Sequence, residues 1–196
     1  MKRSEFTNTY WNQRYEQGLT GWDIGYPSPP IVSYFSQVVS LDSKILFPGA
    51  GNGYEAAYLY KKGFSNVYIA DYAIEAICNF RKNNPDFPDD QILHIDFFKL
   101  EGTFDFIVEQ TFFCALHPNQ RFSYVLKMKS LLANTGKVIG LLFATEFAND
   151  GPPFGGNKEM YQTMFSKHFK IKTMEMCYNS IPSRQNNEFF FILKFK

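Results

Sequence analysis

The sequence predicts an α/β fold: a doubly wound, mainly parallel sheet with helices on both faces, an antiparallel strand at its carboxyl end and a helical arm in front. Three observations carry that expectation. Short apolar runs alternate with helical stripes from Ile45 to Phe143. The first of those runs, Ile45-Leu46-Phe47, opens directly onto a glycine-rich turn. The carboxyl end, from about Lys170 to Lys196, reads as two strands joined across Asn179 to Asn187. One domain over residues 1–196 is expected, with residues 1–30 as an N-terminal arm.

Residues from about Glu5 to Gln17 form the helix of the arm, with Trp11 and Tyr15 on one face and Gly18 ending it. The following loop, Gly18 to Pro30, carries Trp22 and Asp23. Trp11 and Trp22 either pack the arm on the domain surface or form a lid. In a lid their electron-rich rings attract a cationic ligand, by about 0.5–2 kcal/mol where water is excluded. Pro29 and Pro30 suit the start of the next helix, whose apolar positions are Ile31, Tyr34, Phe35 and Val38. After Asp42-Ser43 the run Ile45-Leu46-Phe47 has the continuous apolar character of a strand buried on both faces.

Gly49, Gly51 and Gly53 then remove the Cβ atoms that would hold a ligand away from the main chain. A dinucleotide-binding turn places its third glycine where this chain has Tyr54, followed by Glu55. A helix start bearing a carboxylate is a poor pyrophosphate seat and suits a ligand with an amino group or positive charge. S-adenosylmethionine is such a ligand. A purely structural glycine turn is the competing account until the neighbouring elements are considered.

Ala56, Ala57, Leu59 and Tyr60 continue as a helix to Gly63, and Val67 to Asp71 reads as the second strand. Asp71, at the strand end, either grips a ribose diol or caps the next helix. That helix presents Ala73, Ala76, Ile77 and Phe80 and stops at Pro85. The third strand, Ile92 to Ile95, leads into Asp96-Phe97-Phe98, where Asp96 and Phe97 either read an adenine or are ordinary loop residues.

Phe104 to Gln110 is the fourth strand, and Thr111 to Pro118 after it is the candidate acceptor pocket, because doubly wound sheets place their chemistry there. A helix holding Arg121, Phe122, Val125, Leu126 and Leu132 ends near Asn134-Thr135-Gly136, and Val138 to Phe143 is strand five. The loop Ala144 to Asn157 contains Gly151-Pro152-Pro153-Phe154 and supplies another pocket wall; Lys158 to His168 is the last helix.

Composition excludes several function classes. The chain carries 20 Lys and Arg against 19 Asp and Glu with no basic block, so nucleic acid is not an expected partner. No apolar stretch reaches signal-peptide or membrane-span length, which predicts a soluble, cytoplasmic protein with no membrane contact. Cys78, Cys114 and Cys177 are scattered and odd in number, as core cysteines in a reducing compartment are. His94, His117 and His168 are too dispersed for a metal site, and Cys114 with His117 offers two ligands where zinc takes three or four, so no metal is expected. No heptad repeat argues for assembly, and a monomer is the default. The aromatic content of 18% predicts both an aromatic core and an aromatic-lined pocket.

Five stretches together resemble the Class I S-adenosylmethionine-dependent methyltransferases of the thiopurine methyltransferase superfamily, nearest its thiol and halide methyltransferase branch. They are Trp11-Asn12-Gln13-Arg14-Tyr15, Thr20-Gly21-Trp22-Asp23, Pro48 to Tyr54, Asp96-Phe97-Phe98, and Thr111 to Leu116 running on to Arg121 and Gly151-Pro152-Pro153-Phe154. The resemblance implies a Rossmann-like fold and a methyl transfer to a small-molecule acceptor, most simply a thiol, with S-adenosylhomocysteine as product and no obligatory general base.

It also implies that Trp11, Tyr15, Trp22, Gly49, Asp71, Asp96 and Phe97 hold the cofactor, with Gly51, Gly53, Tyr72 and Glu109 beside them. Glu109, Gln110, Phe112, Phe113, Arg121, Phe154 and Arg184 are the implied acceptor-side residues. Arg121 and Arg184 match arginines that pair with anionic acceptors in the thiopurine enzymes, or are surface arginines. Tyr15 stands where the family often has tryptophan, Ala50 where it often has cysteine, and Glu109-Gln110 where relatives commonly carry Asp followed by an aromatic. Halide and thiopurine acceptors, a nicotinamide-dependent oxidoreductase and a catalytically idle cofactor-binding protein are the alternatives.

Overall fold

The computed structural model describes residues 6–147 and 151–196. Residues 1–5 of the expected arm and 148–150 of the expected 144–157 loop lie outside the described residues. In chain order the elements are α1 (Asn8–Glu16), α2 (Pro29–Phe35), β1 (Ile45–Pro48), α3 (Tyr54–Lys61), β2 (Val67–Asp71), α4 (Ile74–Asn83) and β3 (Ile92–His94). There follow β4 (Phe104–Glu109), α5 (Arg121–Leu131), β5 (Leu132–Phe143), α6 (Lys158–Phe165), β6 (Phe169–Met176) and β7 (Glu188–Phe195). The sheet runs β3-β2-β1-β4-β5-β7-β6, and only β7 is antiparallel to its neighbours.

Strand alternation sorts the core into two layers. Ile45 and Phe47 of β1, with Phe106 and Val108 of β4, face Ile31, Phe35, Leu59 and Phe80 from α2, α3 and α4. Leu46 and Ile107 face the other way, onto Tyr124, Met128 and Phe165 from α5 and α6. β1 is apolar at every position because both of its faces are covered. Each such side chain, fully buried, contributes about 1.5–3 kcal/mol.

The junction of α5 and β5 differs from the expectation. The helix stops at Leu131, and β5 begins at once with Leu132 opposite Phe104; the register then shifts so that Phe106 pairs with Lys137. Asn134-Thr135-Gly136 is therefore a bulge inside a strand and not the turn after a helix. Gly136 permits it, since a Cβ there would sit 3.0 Å from both the Ala133 and Asp105 carbonyl oxygens. α6 likewise ends at Phe165, where His168 N–H turns back to the Phe165 carbonyl at 3.0 Å.

The strand order reverses between β1 and β4, so the loops leaving their carboxyl ends diverge and open a crevice. The arm, α1 and the loop after it, lies over that crevice.

Candidate active site

Gly49, Gly51 and Gly53 all hold left-handed backbone, at φ 58°, 55° and 61°. Gly49 N–H donates to the Ala70 carbonyl at 2.7 Å, tying the turn to the end of β2. Asp71 completes the tie: Oδ2 accepts from Gly51 N–H at 3.0 Å and Oδ1 from Ala73 N–H at 2.9 Å. Burial pushes its carboxyl up, against the pull of those backbone donors. Asp71 thus braces the glycine turn and holds Ala73, the N-cap residue of α4, without itself being that helix's cap, and it lines the cleft.

The arm closes on this turn through aromatic edges and a small set of polar bonds. A Cβ on Gly51 would meet the Tyr15 hydroxyl at 2.7 Å. Trp22 stands edge-on to Trp11 at 5.3 Å and to Tyr15 at 5.7 Å. Burial, and then the nearby Asp71, push the Tyr15 hydroxyl far above its ordinary range, so it stays protonated. Tyr72 donates its hydroxyl to the Phe6 carbonyl at 2.7 Å. Arg184 donates to the Trp22 carbonyl at 2.7 Å and pairs with Glu188 at 3.4 Å.

Sequence reasoning gave no role to Asp23, Asn52 or Tyr54. Asp23 accepts from the Asn52 side-chain amide, from the Tyr54 hydroxyl at 3.2 Å and from Gly25 N–H at 2.7 Å, bridging the arm to the glycine turn. Its place in the Thr20 to Asp23 stretch was the available signal. Tyr54, the residue standing where a third glycine would be, is one of its partners. Glu55, expected to favour a cationic ligand, spends Oε1 on Ser28 N–H at 2.9 Å and so anchors the end of the arm. Trp22→Ala, which removes the ring shared by Trp11 and Tyr15, is expected to weaken cofactor binding about tenfold, or about 1.4 kcal/mol, in a calorimetric titration; unchanged affinity would leave Trp22 a packing residue only.

The other wall comes from the loops after β3 and β4. Asp96 caps its own turn, Oδ1 accepting from Phe98 N–H at 2.9 Å, and both Asp96 and Phe97 line the cleft. The Phe97 ring meets Phe112 edge-on at 5.2 Å. Phe112 in turn presses on Gly49, whose missing Cβ would collide with its ring. Between these contacts Gln110 and Thr111 face the cleft. Thr111 is β-branched yet holds φ 57°, a conformation that persists only where the surroundings enforce it.

Four of the acceptor-side expectations are corrected. Glu109 does not reach the cleft: it is 0% exposed, with Oε1 accepting from Phe112 and Phe113 N–H, both at 2.8 Å, and Oε2 accepting from the Tyr124 hydroxyl at 2.5 Å. Phe113 turns into the core against Tyr124 and Tyr161 because the loop reverses between it and Phe112. Arg121 is buried over the Phe113 ring and donates to the Phe154 and Gly155 carbonyls at 3.3 and 2.9 Å, so it holds the loop and not an acceptor. Phe154 sits outside the cleft against Phe6 and His117, while its neighbours Pro152 and Pro153 line it. Arg184 does line the cleft, with its guanidinium already bonded to the arm.

The resulting cleft measures about 1000 Å³ and brings together Trp11, Tyr15, Trp22, Tyr72, the glycine turn, Asp71, Asp96, Phe97, Gln110 and Phe112. That is ample room for a cofactor and a small acceptor together. Arg14 also lines it, its guanidinium 5.8 Å from the Trp22 ring and its Nε buried without a hydrogen-bond partner. Cys114 also lines it, and burial pushes its thiol far up. Among the described residues no cluster of three or more His, Cys, Asp or Glu is placed to hold a metal, and no helix is long and apolar enough to cross a membrane.

Two relatives, one solved structure and one protein family resemble this chain. An Arabidopsis thaliana protein named probable thiol methyltransferase 2 is 30% identical over 164 residues, spanning 81% of this chain and 72% of that protein. Thiocyanate methyltransferase 1 of Brassica oleracea is 25% identical over 183 residues, spanning 91% and 81%. Among solved structures, the Burkholderia thailandensis 1,6-didemethyltoxoflavin-N1-methyltransferase, with S-adenosylhomocysteine bound, superposes at a TM-score of 0.79 over 97% of this chain and 88% of that one, at 14% identity, a likeness of fold. Residues 6–190 match the thiopurine S-methyltransferase (TPMT) family as a whole. With that match running through the arm, the glycine turn and both pocket loops, the chain belongs to the thiopurine S-methyltransferase family.

Proposed function

We infer that the chain transfers a methyl group from S-adenosylmethionine to a small thiol. The observation that carries this is the enclosure of the glycine turn, with Asp71, Asp96 and Phe97 at the adjoining strand ends, by the Trp11, Tyr15 and Trp22 rings. The residues fit the cofactor: a glycine turn that lines the cleft for its methionyl part, a carboxylate at the end of β2 for a ribose diol, and an acid with an aromatic for adenine. Bound there, S-adenosylmethionine supplies an activated methyl on a sulfonium whose leaving group departs neutral.

Little acid or base chemistry is then asked of the protein. A thiol of reference pKa ~8.5 is partly ionised at neutral pH. Gln110, Thr111 and Phe112 orient it, the arm excludes water, and proximity supplies most of the acceleration. Isothermal titration with S-adenosylmethionine and, separately, NADH tests the cofactor; binding of the first alone, followed by methylated thiol as product, is the expected result. Binding of NADH instead would reinstate an oxidoreductase, and binding with no turnover over a broad acceptor panel would leave an idle cofactor-binding protein.

A small anion is the second acceptor class, favoured by Arg14, a cleft-lining guanidinium whose Nε makes no hydrogen bond. The relative named thiocyanate methyltransferase 1 fits it. Thiocyanate and iodide therefore belong in the acceptor panel, and loss of their methylation alone in Arg14→Gln would assign them to that residue.

A further inference from the structure

We propose that Glu109 is the positioning residue of the methyl-transfer site, holding the loop after β4 so that Gln110 and Thr111 meet the acceptor and Phe112 meets the cofactor turn. The inference rests on the methyltransferase reading but takes its argument from geometry alone. Glu109 closes β4, the central strand beside the switch point, yet its side chain turns away from the cleft.

A single oxygen, Oε1, accepts from the N–H groups of Phe112 and Phe113, three and four residues on, both at 2.8 Å. That fixes the reversal of the chain over Gln110 and Thr111. The other oxygen is held by Tyr124 of α5 at 2.5 Å, so the loop is referred to a helix of the core. No ion pair to Glu109 occurs among the described residues. A buried carboxylate without a cation costs stability, and the bonds it makes here are to the loop and its anchor.

Two consequences of the hold are visible. Thr111 keeps φ 57°, which an L-residue with a branched Cβ does not adopt unforced. Phe112 and Phe113 diverge, the first packing against Gly49, Phe97 and Tyr124 and the second into the core against Tyr124, Tyr161 and Phe165. One carboxylate therefore couples the acceptor-facing residues, the cofactor turn and the core.

The role depends on reach more than on charge, which gives the test. Glu109→Asp keeps the charge and shortens the reach by one methylene; Glu109→Gln keeps the reach and an oxygen for the two N–H groups; Tyr124→Phe removes the anchor alone. The readouts are kcat and KM for methyl transfer from S-adenosylmethionine to thiophenol, the dissociation constant of S-adenosylhomocysteine, and the melting temperature. Glu109→Asp is expected to lower kcat about 100-fold, the scale of an ångström's misplacement, and to weaken S-adenosylhomocysteine about tenfold, with KM for thiophenol little changed. Glu109→Gln should recover most of that loss, and Tyr124→Phe should lower kcat about tenfold.

An Asp variant that melts lower but turns over like the unsubstituted chain would overturn the proposal, as would a Gln variant as impaired as the Asp variant. If Glu109→Asp does not fold, Tyr124→Phe decides, and an unchanged kcat there would overturn it. If the unsubstituted chain binds S-adenosylmethionine but does not methylate thiophenol, the thiol reading fails. The proposal is then judged on S-adenosylhomocysteine, where equal affinity in the Asp and Gln variants would sink it.

Discussion

Gly49→Ala should reduce the affinity for S-adenosylmethionine by more than about 100-fold, or about 3 kcal/mol. Two effects add. The backbone sits at φ 58°, where an L-residue pays about 1–2 kcal/mol. The new Cβ would also fall on three carbons of the Phe112 ring. That ring is flanked by Phe97 at 5.2 Å and Tyr124 at 6.0 Å, and its own N–H is held by Glu109, so it can yield only into the cleft that it lines.

Either the turn moves, carrying Gly51 N–H off Asp71, or the ring swings into the space the ligand needs; both weaken binding. Gly18→Ala is the matched control, because Gly18 has a similar φ of 65° but a Cβ there would meet nothing within 4 Å. Calorimetric titration of both variants, with circular dichroism to confirm the fold, separates backbone cost from crowding. Equal affinities in the two would show that the contact with Phe112 is not what the turn protects.

Much of this architecture was legible in the sequence because it follows from periodicities that are local. Apolar runs mark β1, which is buried at every position, and β2 and β4, each buried at all positions but one, and the acids after β2 and β3 stand where the parallel sheet delivers them. The misjudged elements are those where a tertiary contact overrides a local signal. Asn134-Thr135-Gly136 looks like a turn and is a bulge, because Gly136 lets β5 approach the Asp105 carbonyl.

The site shows the same division. Trp11, Tyr15, Trp22, Asp71, Asp96 and Phe97 line one cleft. Which way Glu109, Phe113 and Arg121 point was not readable, since adjacent residues on a reversing loop go to opposite sides. Glu109's anchor Tyr124 lies 15 residues away, and the Phe154 and Gly155 carbonyls that hold Arg121 lie 33 and 34 away, with no pattern to announce them.

Glu109→Gln should make the protein more stable above neutral pH and leave its stability nearly unchanged below pH 5. Desolvation is the main cause: complete burial pushes the Glu109 carboxyl up to about 7 from 4.5, with the Tyr124 hydroxyl and the Phe112 and Phe113 N–H groups pulling it only partly back. Between those two values the folded chain keeps a proton that the unfolded chain has released, so ν is larger in the native state and stability falls as pH rises. The contribution is fully present below about pH 4.5 and lost as pH rises through about 7; at 1.36 kcal/mol per unit, the loss amounts to about 3 kcal/mol.

Glutamine cannot titrate, yet it retains an oxygen for the two loop N–H groups and a donor for Tyr124, so it mimics the protonated acid throughout. Asp71, Glu55 and Glu188 are also pushed up by burial, but they are common to both proteins and cancel in the difference. Urea denaturation of the two chains from pH 5 to pH 9 measures that difference directly. A gap that opens with pH toward a few kcal/mol in favour of glutamine and levels off would locate the buried charge at Glu109, whereas a constant gap would mean that the carboxylate is already ionised at pH 5, and a gap still widening at pH 9 that it is neutral there. The same experiment bears on catalysis, because a loop held equally well by a neutral amide is a loop held by geometry.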